Sequence, residues 1–251
     1  YEYGNGESQG QGYSEDCCMR GCISKIGHPP PDDKAAERSR GKPTIDATSV
    51  RWKQFLGNAP DQPFDSYRFR NWRWFWSFGG GIFTDLMVHW MDTAYWILDM
   101  DNPSLAMSIG DHVATKGLWE TPDTVQTLLH YPRERLQAYF DGTFVNHHNR
   151  SMLTLMGSKA TLYMDRGRYE LEPQRNSGAE RKMRVDGKGI RGADFFEEVD
   201  GALYHLGNWV DCIRSRQTPN CPAEQGVRSA AAAHLANRSL RIGKTAVWQE
   251  A

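Results

Sequence analysis

A polar stripe runs along an otherwise apolar segment between Gly79 and Met100. Asp85, His89 and Asp92 are spaced by four and then three residues, which places them on one face of an α-helix. One interpretation is structural, because buried carboxylates must be paired or hydrogen-bonded and these side chains can satisfy one another. The other is catalytic: His89 accepts and returns a proton near neutral pH, and Asp85 orients the imidazole ring or holds a substrate hydroxyl.

Three consecutive glycines, Gly79, Gly80 and Gly81, stand where we predict that this helix begins. Because glycine has no side chain, the outward-pointing amide groups of a helix start can approach another molecule closely. The glycines therefore favour the catalytic interpretation, and we predict that they contact a bound cofactor. Apolar residues on every side of the segment predict that the helix is buried inside the protein.

An aromatic segment, Phe69–Trp76, lies directly before the glycines and contains two arginines. As a structural element it would be a packed shelf beneath the helix, with arginine stems covering the rings. As a functional element it would be a wall on which a sugar ring stacks. On that hypothesis we assign Arg73, Trp74 and Trp76 to substrate binding. His205 also has two interpretations, hydrogen-bonded packing or contact with the substrate from below the pocket.

The overall composition is that of a globular protein, with 39% hydrophobic and 24% charged residues among 251. The formal net charge is -1, which gives no electrostatic attraction to nucleic acid or to an anionic membrane. No apolar run approaches the ~20 residues of a membrane span. We therefore predict neither a nucleic-acid partner nor a membrane partner. The chain begins at Tyr1 without a charged-then-apolar leader, so it is either a processed chain, a fragment or a protein without a signal peptide.

The five cysteines do not predict a disulfide framework, because their number is odd. Cys17, Cys18 and Cys22 stand near His28, and together the four could be imagined as a zinc site. Two of the cysteines are adjacent and no second Cys-x-x-Cys follows, which is poor spacing for zinc. We predict a loop with free thiols there and no metal site.

The periodicity of apolar residues predicts both strands and helices after the polar stripe. Helical spacing predicts helices over Phe195–Arg216 and from about Ala223 to Ile242, the second ended by Gly243. Neighbouring strands this close in sequence should pair antiparallel. Alternation and turn residues predict strands at 105–109, 125–131, 136–144, 151–156, 160–164 and 168–171.

These elements predict an α+β domain: an open, mainly antiparallel β-sheet with helices packed on one face. The domain would comprise residues 49–251. Residues 1–48 are rich in glycine, proline and charge, which predicts an irregular N-terminal extension or insertion.

Several motifs, in this order and spacing, resemble the glucose-fructose oxidoreductase/inositol dehydrogenase family (Gfo/Idh/MocA). The most specific is Gly-Gly-Gly-x-x-x-Asp-x-x-x-His-x-x-Asp, which is Gly79–Asp92 here. The resemblance covers roughly residues 47–251. Within the family, the chain is similar to the bacterial subfamilies in which this domain recognises the substrate. The remaining motifs are Trp52–Pro60, Arg70–Trp76, His205–Pro219 and His234–Lys244.

The resemblance implies an enzyme with a Rossmann nucleotide-binding domain followed by an α+β substrate domain, which transfers hydride between NAD(P) and a hydroxyl-bearing carbon of a sugar or cyclitol. It implies that His89 is the acid/base, with Asp85 as its partner at the substrate and a lysine from a Glu-Lys-Pro motif beside them. The Glu-Lys-Pro motif does not occur in this chain, and we predict no Rossmann nucleotide-binding half in it. We therefore predict a C-terminal part of a longer enzyme, or a remnant of one, that binds no NAD or NADP alone. The family pattern has glycine where Met87 stands, which implies a reshaped pocket floor.

Two other functions fit the sequence. One is a non-catalytic binding or assembly module, and the other is a hydrolase that cleaves glycosides through a redox cycle, as some relatives do. The resemblance also implies a homo-oligomer formed through the sheet face, where alternation would leave Val125, Thr127 and Leu129 on one side. For a bacterial protein of this kind, cytoplasm and periplasm both remain open.

Overall fold

The computed structural model describes residues 45–146, 151–186 and 201–249. Most of the predicted N-terminal extension, including Cys17, Cys18, Cys22 and His28, lies outside the described residues. Among those that are described, no helix is long and apolar enough to cross a membrane. No group of three or more His, Cys, Asp or Glu side chains in the described ranges is arranged to hold a metal ion.

Five α-helices are present in the part of the chain that the structure describes. The predicted stop of the last one is confirmed: Gly243 caps it with φ +62°, and its N–H donates to Leu240 O. A π-helical turn, Phe83–Met87, runs directly into α3. The helices are α1 (Trp52–Leu56), α2 (Ser66–Arg70), α3 (Val88–Leu98), α4 (Gly201–Ser215) and α5 (Ala223–Ile242).

Eight strands form two antiparallel sheets, which confirms the α+β class and the antiparallel pairing. The strands divide between two four-stranded sheets, ordered β3-β2-β1-β8 and β4-β5-β6-β7, instead of forming the one sheet predicted. The first sheet contains β1 (Leu105–Asp111), β2 (Thr124–Tyr131), β3 (Leu136–Thr143) and β8 (Ala246–Val247). The second contains β4 (Leu153–Met156), β5 (Ala160–Met164), β6 (Arg168–Pro173) and β7 (Lys182–Val185).

The hydrophobic core lies between the first sheet and the two helices α3 and α5. Val125, Thr127 and Leu129 of β2 point into it and are at most 2% exposed. The expectation that these three residues belong to a surface for subunit contact is therefore wrong. Their side chains face the helices, and the alternate residues of each strand form the open face.

The π-helical turn and α3 are buried along one side only, which corrects the expectation of burial all round. Phe83, Met87 and Tyr95 are at most 3% exposed and belong to the core. On the opposite side, His89 is exposed and Trp96 keeps 65% of its surface accessible. The helix lies on the core as an outer layer, and Met87 fills the core where a pocket floor was expected.

A buried carboxylate fixes the connection between β1 and β2. Asp123 is fully buried and accepts hydrogen bonds of 2.8–2.9 Å from the backbone amides of Val113, Ala114 and Thr115. The hydroxyls of Thr115 and Thr124 donate to it as well, at 2.8 and 3.1 Å. Five donors around one carboxylate fix this connection, in which Thr121 lies against Gly81 at the start of the helical segment.

None of the fifteen residues of helix α4 is buried, whereas α1, α3 and α5 each bury at least one residue. Its apolar residues stay largely exposed, with Leu203 at 71% and Trp209 at 55%. The predicted helix over Phe195–Arg216 is thus confirmed over Gly201–Ser215, and its first six residues lie outside the described ranges.

Candidate functional site

The start of the site helix is a tightly packed glycine turn. A Cβ on Gly79, Gly80 or Gly81 would lie 2.8 Å from Arg73 O, 2.4 Å from Asn237 Nδ2 or 2.7 Å from Thr121 Cβ, respectively. Gly81 also has φ +63°, a conformation that side chains disfavour. All three glycines are therefore required by close approach to the protein's own atoms.

Two of the three glycine amide groups of this turn are also occupied within the chain. Gly79 N donates to Phe75 O at 2.9 Å, and Gly80 N donates to Thr84 Oγ1 at 3.0 Å. The side chain of Asn237 on α5 donates to Gly80 O at 2.8 Å. The turn does not form an open cradle for a phosphate group, so contact between these glycines and a cofactor stays a prediction.

Asp85 lies in the π-helical turn and forms an ion pair with Arg73. Arg73 Nε donates to Asp85 Oδ1 at 2.7 Å, and the guanidinium lies 4.4 Å from the ring centre of Trp72. π-Helical turns within α-helices occur frequently at functional sites. The expected contact between Asp85 and His89 is not formed among the described residues, because the carboxylate turns toward the arginine.

His89 stands one turn after Asp85 and is exposed. Its carbonyl oxygen accepts a hydrogen bond from Thr93 Oγ1 at 3.0 Å, as ordinary helix geometry allows. The described part of the chain gives the imidazole no hydrogen-bond partner, so the exposed ring is accessible for chemistry. The structural interpretation, in which the imidazole only forms hydrogen bonds with neighbouring groups, does not account for this exposed position.

The third polar residue of the stripe, Asp92, has a structural role. Its Oδ1 accepts a hydrogen bond of 2.8 Å from Ser229 Oγ and a longer one of 3.4 Å from Gln225 Nε2, both on α5. Asp92 therefore joins α3 to α5. The stripe divides into a structural end at Asp92 and an exposed end at Asp85 and His89.

The aromatic segment is a packed wall beside this exposed end. Trp74 stacks on Trp119, with ring centres 4.5 Å apart, and meets the edge of Phe144 at 4.8 Å. Trp76 Nε1 donates to Glu120 O at 3.0 Å. These contacts agree with the structural interpretation of the segment, and substrate contact by Trp74 or Trp76 stays a prediction.

His205 lies on the exposed helix α4 and is itself exposed. The hydrogen bonds and ion pairs of the described residues do not connect its side chain to Asp85 or His89. The structure thus brings together Arg73 and Asp85 and places His89 on the same helix, but it does not bring His205 to them.

Two residues that shape the site were not predicted. The backbone N–H of Trp76 donates to Glu120 Oε2 at 3.0 Å, and Arg68 Nη2 forms an ion pair with Glu120 Oε1 at 2.8 Å. These two contacts hold the aromatic wall in place. Asn237 ties α5 to the glycine turn across 157 positions of sequence. A contact between residues so far apart in sequence produces no periodic pattern of residue types. The only sequence signal for Asn237 was therefore its place in the motif His234–Lys244.

Comparison with known proteins agrees with this architecture. A model of the Gfo/Idh/MocA oxidoreductase family, C-terminal alpha/beta domain, matches residues 43–247. No curated protein sequence matches the chain. Among solved structures, the WlbA dehydrogenase from Bordetella pertussis, in complex with NADH and UDP-GlcNAcA, is 17% identical with a TM-score of 0.52. The match covers 76% of this chain and 52% of that one.

Two further solved structures share the fold. The aldose-aldose oxidoreductase from Caulobacter crescentus, complexed with glycerol, is 17% identical with a TM-score of 0.53, over 84% of this chain and 62% of that one. An oxidoreductase from Agrobacterium radiobacter, in complex with NAD+, L-tartaric acid and magnesium, is 17% identical with a TM-score of 0.51. That match covers 73% of this chain and 53% of the other.

The chain thus spans about half the length of the first of these structures. The family match covers most of the chain, including the glycine turn, the π-helical turn and both helices of the core. The α+β fold, with helices on an antiparallel sheet, is the one that the resemblance implied. This chain belongs to the Gfo/Idh/MocA oxidoreductase family, of which it is the C-terminal α/β domain.

Proposed function

We propose that the chain is the substrate-binding and catalytic domain of an NAD(P)-dependent oxidoreductase that acts on a hydroxyl group of a sugar or cyclitol. The observation that carries the proposal is His89, whose exposed imidazole makes no hydrogen bond to the described residues. The family membership of the chain supports an oxidoreductase. The nucleotide sugar and NADH bound to the Bordetella relative are consistent with this class of substrate and cofactor.

In the proposed reaction, His89 accepts the proton of the substrate hydroxyl when the carbon that bears it is oxidised. Asp85 uses one carboxylate oxygen for Arg73, and its second oxygen is the acceptor we assign to a neighbouring substrate hydroxyl. The aromatic wall at Trp74 and Trp76 borders the space where a sugar ring would lie. His205 would reach this space only if α4 packed nearer to it.

The dinucleotide itself does not fit the described residues. Binding of its pyrophosphate requires a glycine-rich turn between a strand and a helix, with free amide groups. In the glycine turn of this chain, the space for side chains is filled and the amides of Gly79 and Gly80 are occupied. We therefore propose that a separate nucleotide-binding domain holds NAD(P).

The 251-residue chain alone is expected to bind neither NAD nor NADP, because the glycine turn in its described residues is closed to a phosphate group. Titration calorimetry with each nucleotide measures this directly, and a protein that joins the chain to a nucleotide-binding domain is the positive control. Tight binding by the isolated chain would contradict the expectation, and loss of that binding in Gly81→Ala would place the site at the glycine turn.

A second candidate function, a self-associating module, is favoured by the outer face of the first sheet. Met107, Leu128 and Tyr139 are direct cross-strand neighbours on β1, β2 and β3. They are 51%, 49% and 48% exposed, and Ile109 beside them is 68% exposed. A contiguous exposed apolar row of this kind marks a protein–protein contact more often than an ordinary surface.

We expect the chain to form a dimer or larger oligomer in solution through this row. Light scattering at micromolar concentration measures the mass, and Leu128→Asp should shift it to that of a monomer. Val227→Asp on α5 is the matched control, since Val227 is 67% exposed but lies away from the row. A strictly monomeric wild-type chain would exclude this surface as an interface.

A further inference from the structure

Arg73 has the features of a recognition arginine. Its backbone lies in the 3-10 turn Trp72–Trp74, and the carbonyl of the next residue, Trp74, accepts hydrogen bonds from the amides of Glu120 and Thr121 at 3.0 and 3.2 Å. The absence of a Cβ on Gly79 lets the glycine approach the Arg73 backbone. The backbone that carries this side chain is therefore fixed on both sides.

The guanidinium group is also held in one orientation, yet half of it is open. Its Nε donates to Asp85 Oδ1 at 2.7 Å, and its central carbon lies over the Trp72 ring, 4.4 Å from the ring centre. The side chain nevertheless keeps 46% of its surface exposed. The ion pair uses only Nε–H of its five donors, and the described residues accept none of the remaining four within hydrogen-bond distance.

A fixed arginine with an open pair of terminal nitrogens is suited to a carboxylate or a phosphate. The planar group donates two parallel hydrogen bonds to such an oxyanion, which a neutral hydroxyl cannot accept equally well. Because the side chain is already ordered, binding costs little conformational entropy. A second cation, Arg241, lies 5.1 Å from the Trp76 ring and has no carboxylate partner in the described ranges.

We propose that Arg73 selects substrates that carry an anionic group, namely sugars or cyclitols bearing a carboxylate or a phosphate. The inference rests on the proposed function, since it places the substrate beside the helix that carries Asp85 and His89. Asp85 then has two roles: it fixes the guanidinium, and it faces the substrate. The reacting hydroxyl would lie toward His89 and the anionic group toward Arg73.

Binding to the 251-residue chain tests this inference without turnover. The probes are glucose, glucuronate and glucose 6-phosphate, which share a ring and differ in charge. Nuclear magnetic resonance of the Trp72 indole N–H, assigned with a Trp72→Phe variant, reports on the surface under Arg73. We expect glucuronate or glucose 6-phosphate to bind roughly tenfold or more tightly than glucose. Which of the two binds more tightly distinguishes a carboxylate from a phosphate.

Variants separate recognition from folding. Arg73→Ala should reduce the affinity for the anionic sugar to that for glucose, and Arg73→Lys should keep part of the preference because it retains charge without the planar fork. Arg133→Ala is the matched control: it removes another arginine paired with a carboxylate, Asp101, at 2.8 Å. Thermal melting of each variant shows whether it is folded. If Arg73→Ala is not folded, the comparison is made with Arg73→Lys.

The inference is overturned if the wild-type chain binds the three sugars equally, if it binds none of them, or if the preference persists in Arg73→Ala. These results are distinct from a failure of the proposed function, which concerns turnover and His89. The wild-type chain could prefer the anionic sugar while a His89→Ala enzyme keeps normal turnover. That result would support the proposed role of Arg73 and contradict the catalytic role of His89.

Discussion

Replacement of His89 by alanine, in an enzyme that joins this chain to a nucleotide-binding domain, is expected to lower turnover by roughly 10²- to 10⁴-fold. This is the usual contribution of a positioned general acid or base. Because the imidazole is exposed and makes no hydrogen bond to the described residues, the melting temperature should change little. Binding of NAD(P) should also be preserved, since the proposed function assigns His89 to the substrate and the nucleotide to a separate domain. Steady-state kinetics and thermal unfolding on the same preparations give both quantities.

Two control variants separate chemistry from folding in this experiment. His234→Ala removes an exposed histidine from α5 and should leave turnover unchanged. Asp92→Ala removes the hydrogen bond of 2.8 Å from Ser229 and should cost about 1 kcal/mol of stability, with turnover per folded molecule preserved. A well-folded His89→Ala enzyme with full turnover would rule out His89 as the acid/base.

The strands of the first sheet were predictable because one face of each is buried. Residues 125, 127, 129 and 131 of β2 alternate with more exposed neighbours. The predicted bounds of β1, β2 and β3 differ from the observed ones by at most two residues. The division into two sheets was not predictable, since pairing between strands depends on contacts that no local pattern records. Strand β7 was missed although its four residues alternate polar and apolar, because so short a run is a weak signal. All four residues are exposed, so the strand adds nothing to the core.

The residue types of the candidate site could be predicted from the sequence, but the hydrogen-bond and ion-pair partners of those residues could not. Spacing placed Asp85 and His89 on one helix, but a π-helical turn has no periodic signature that would announce it. The apolar pattern could not show that Asp85 pairs with Arg73, twelve residues earlier. The three glycines predicted a close approach to another molecule, whereas the atoms that approach them in the described residues belong to the chain itself.

Replacement of Asp123 by asparagine is expected to cost about 3 kcal/mol of folding free energy, or roughly 10 °C in melting temperature for a domain of this size. The carboxylate accepts hydrogen bonds from three backbone amides and two hydroxyls, and it is fully buried. An asparagine must turn its NH₂ group toward some of these donors, which leaves them without an acceptor. Asp141→Asn on β3 is the matched control, because Asp141 is exposed and its Oδ1 accepts a single side-chain bond from Gln126.

The same carboxylate gives this loss a characteristic pH dependence. Burial raises the pKa of Asp123, but the hydrogen bonds from Val113, Ala114 and Thr115 outweigh it and hold the pKa below its usual value. A carboxyl with a lowered pKa in the folded state stabilises the protein above the unfolded pKa of about 4, and this stabilisation is lost as the pH falls through the folded value. The difference in melting temperature between wild type and Asp123→Asn should therefore be full at neutral pH and shrink below about pH 4. A difference that stays constant into the acid range would show that Asp123 stabilises the fold by packing and not as a charged acceptor.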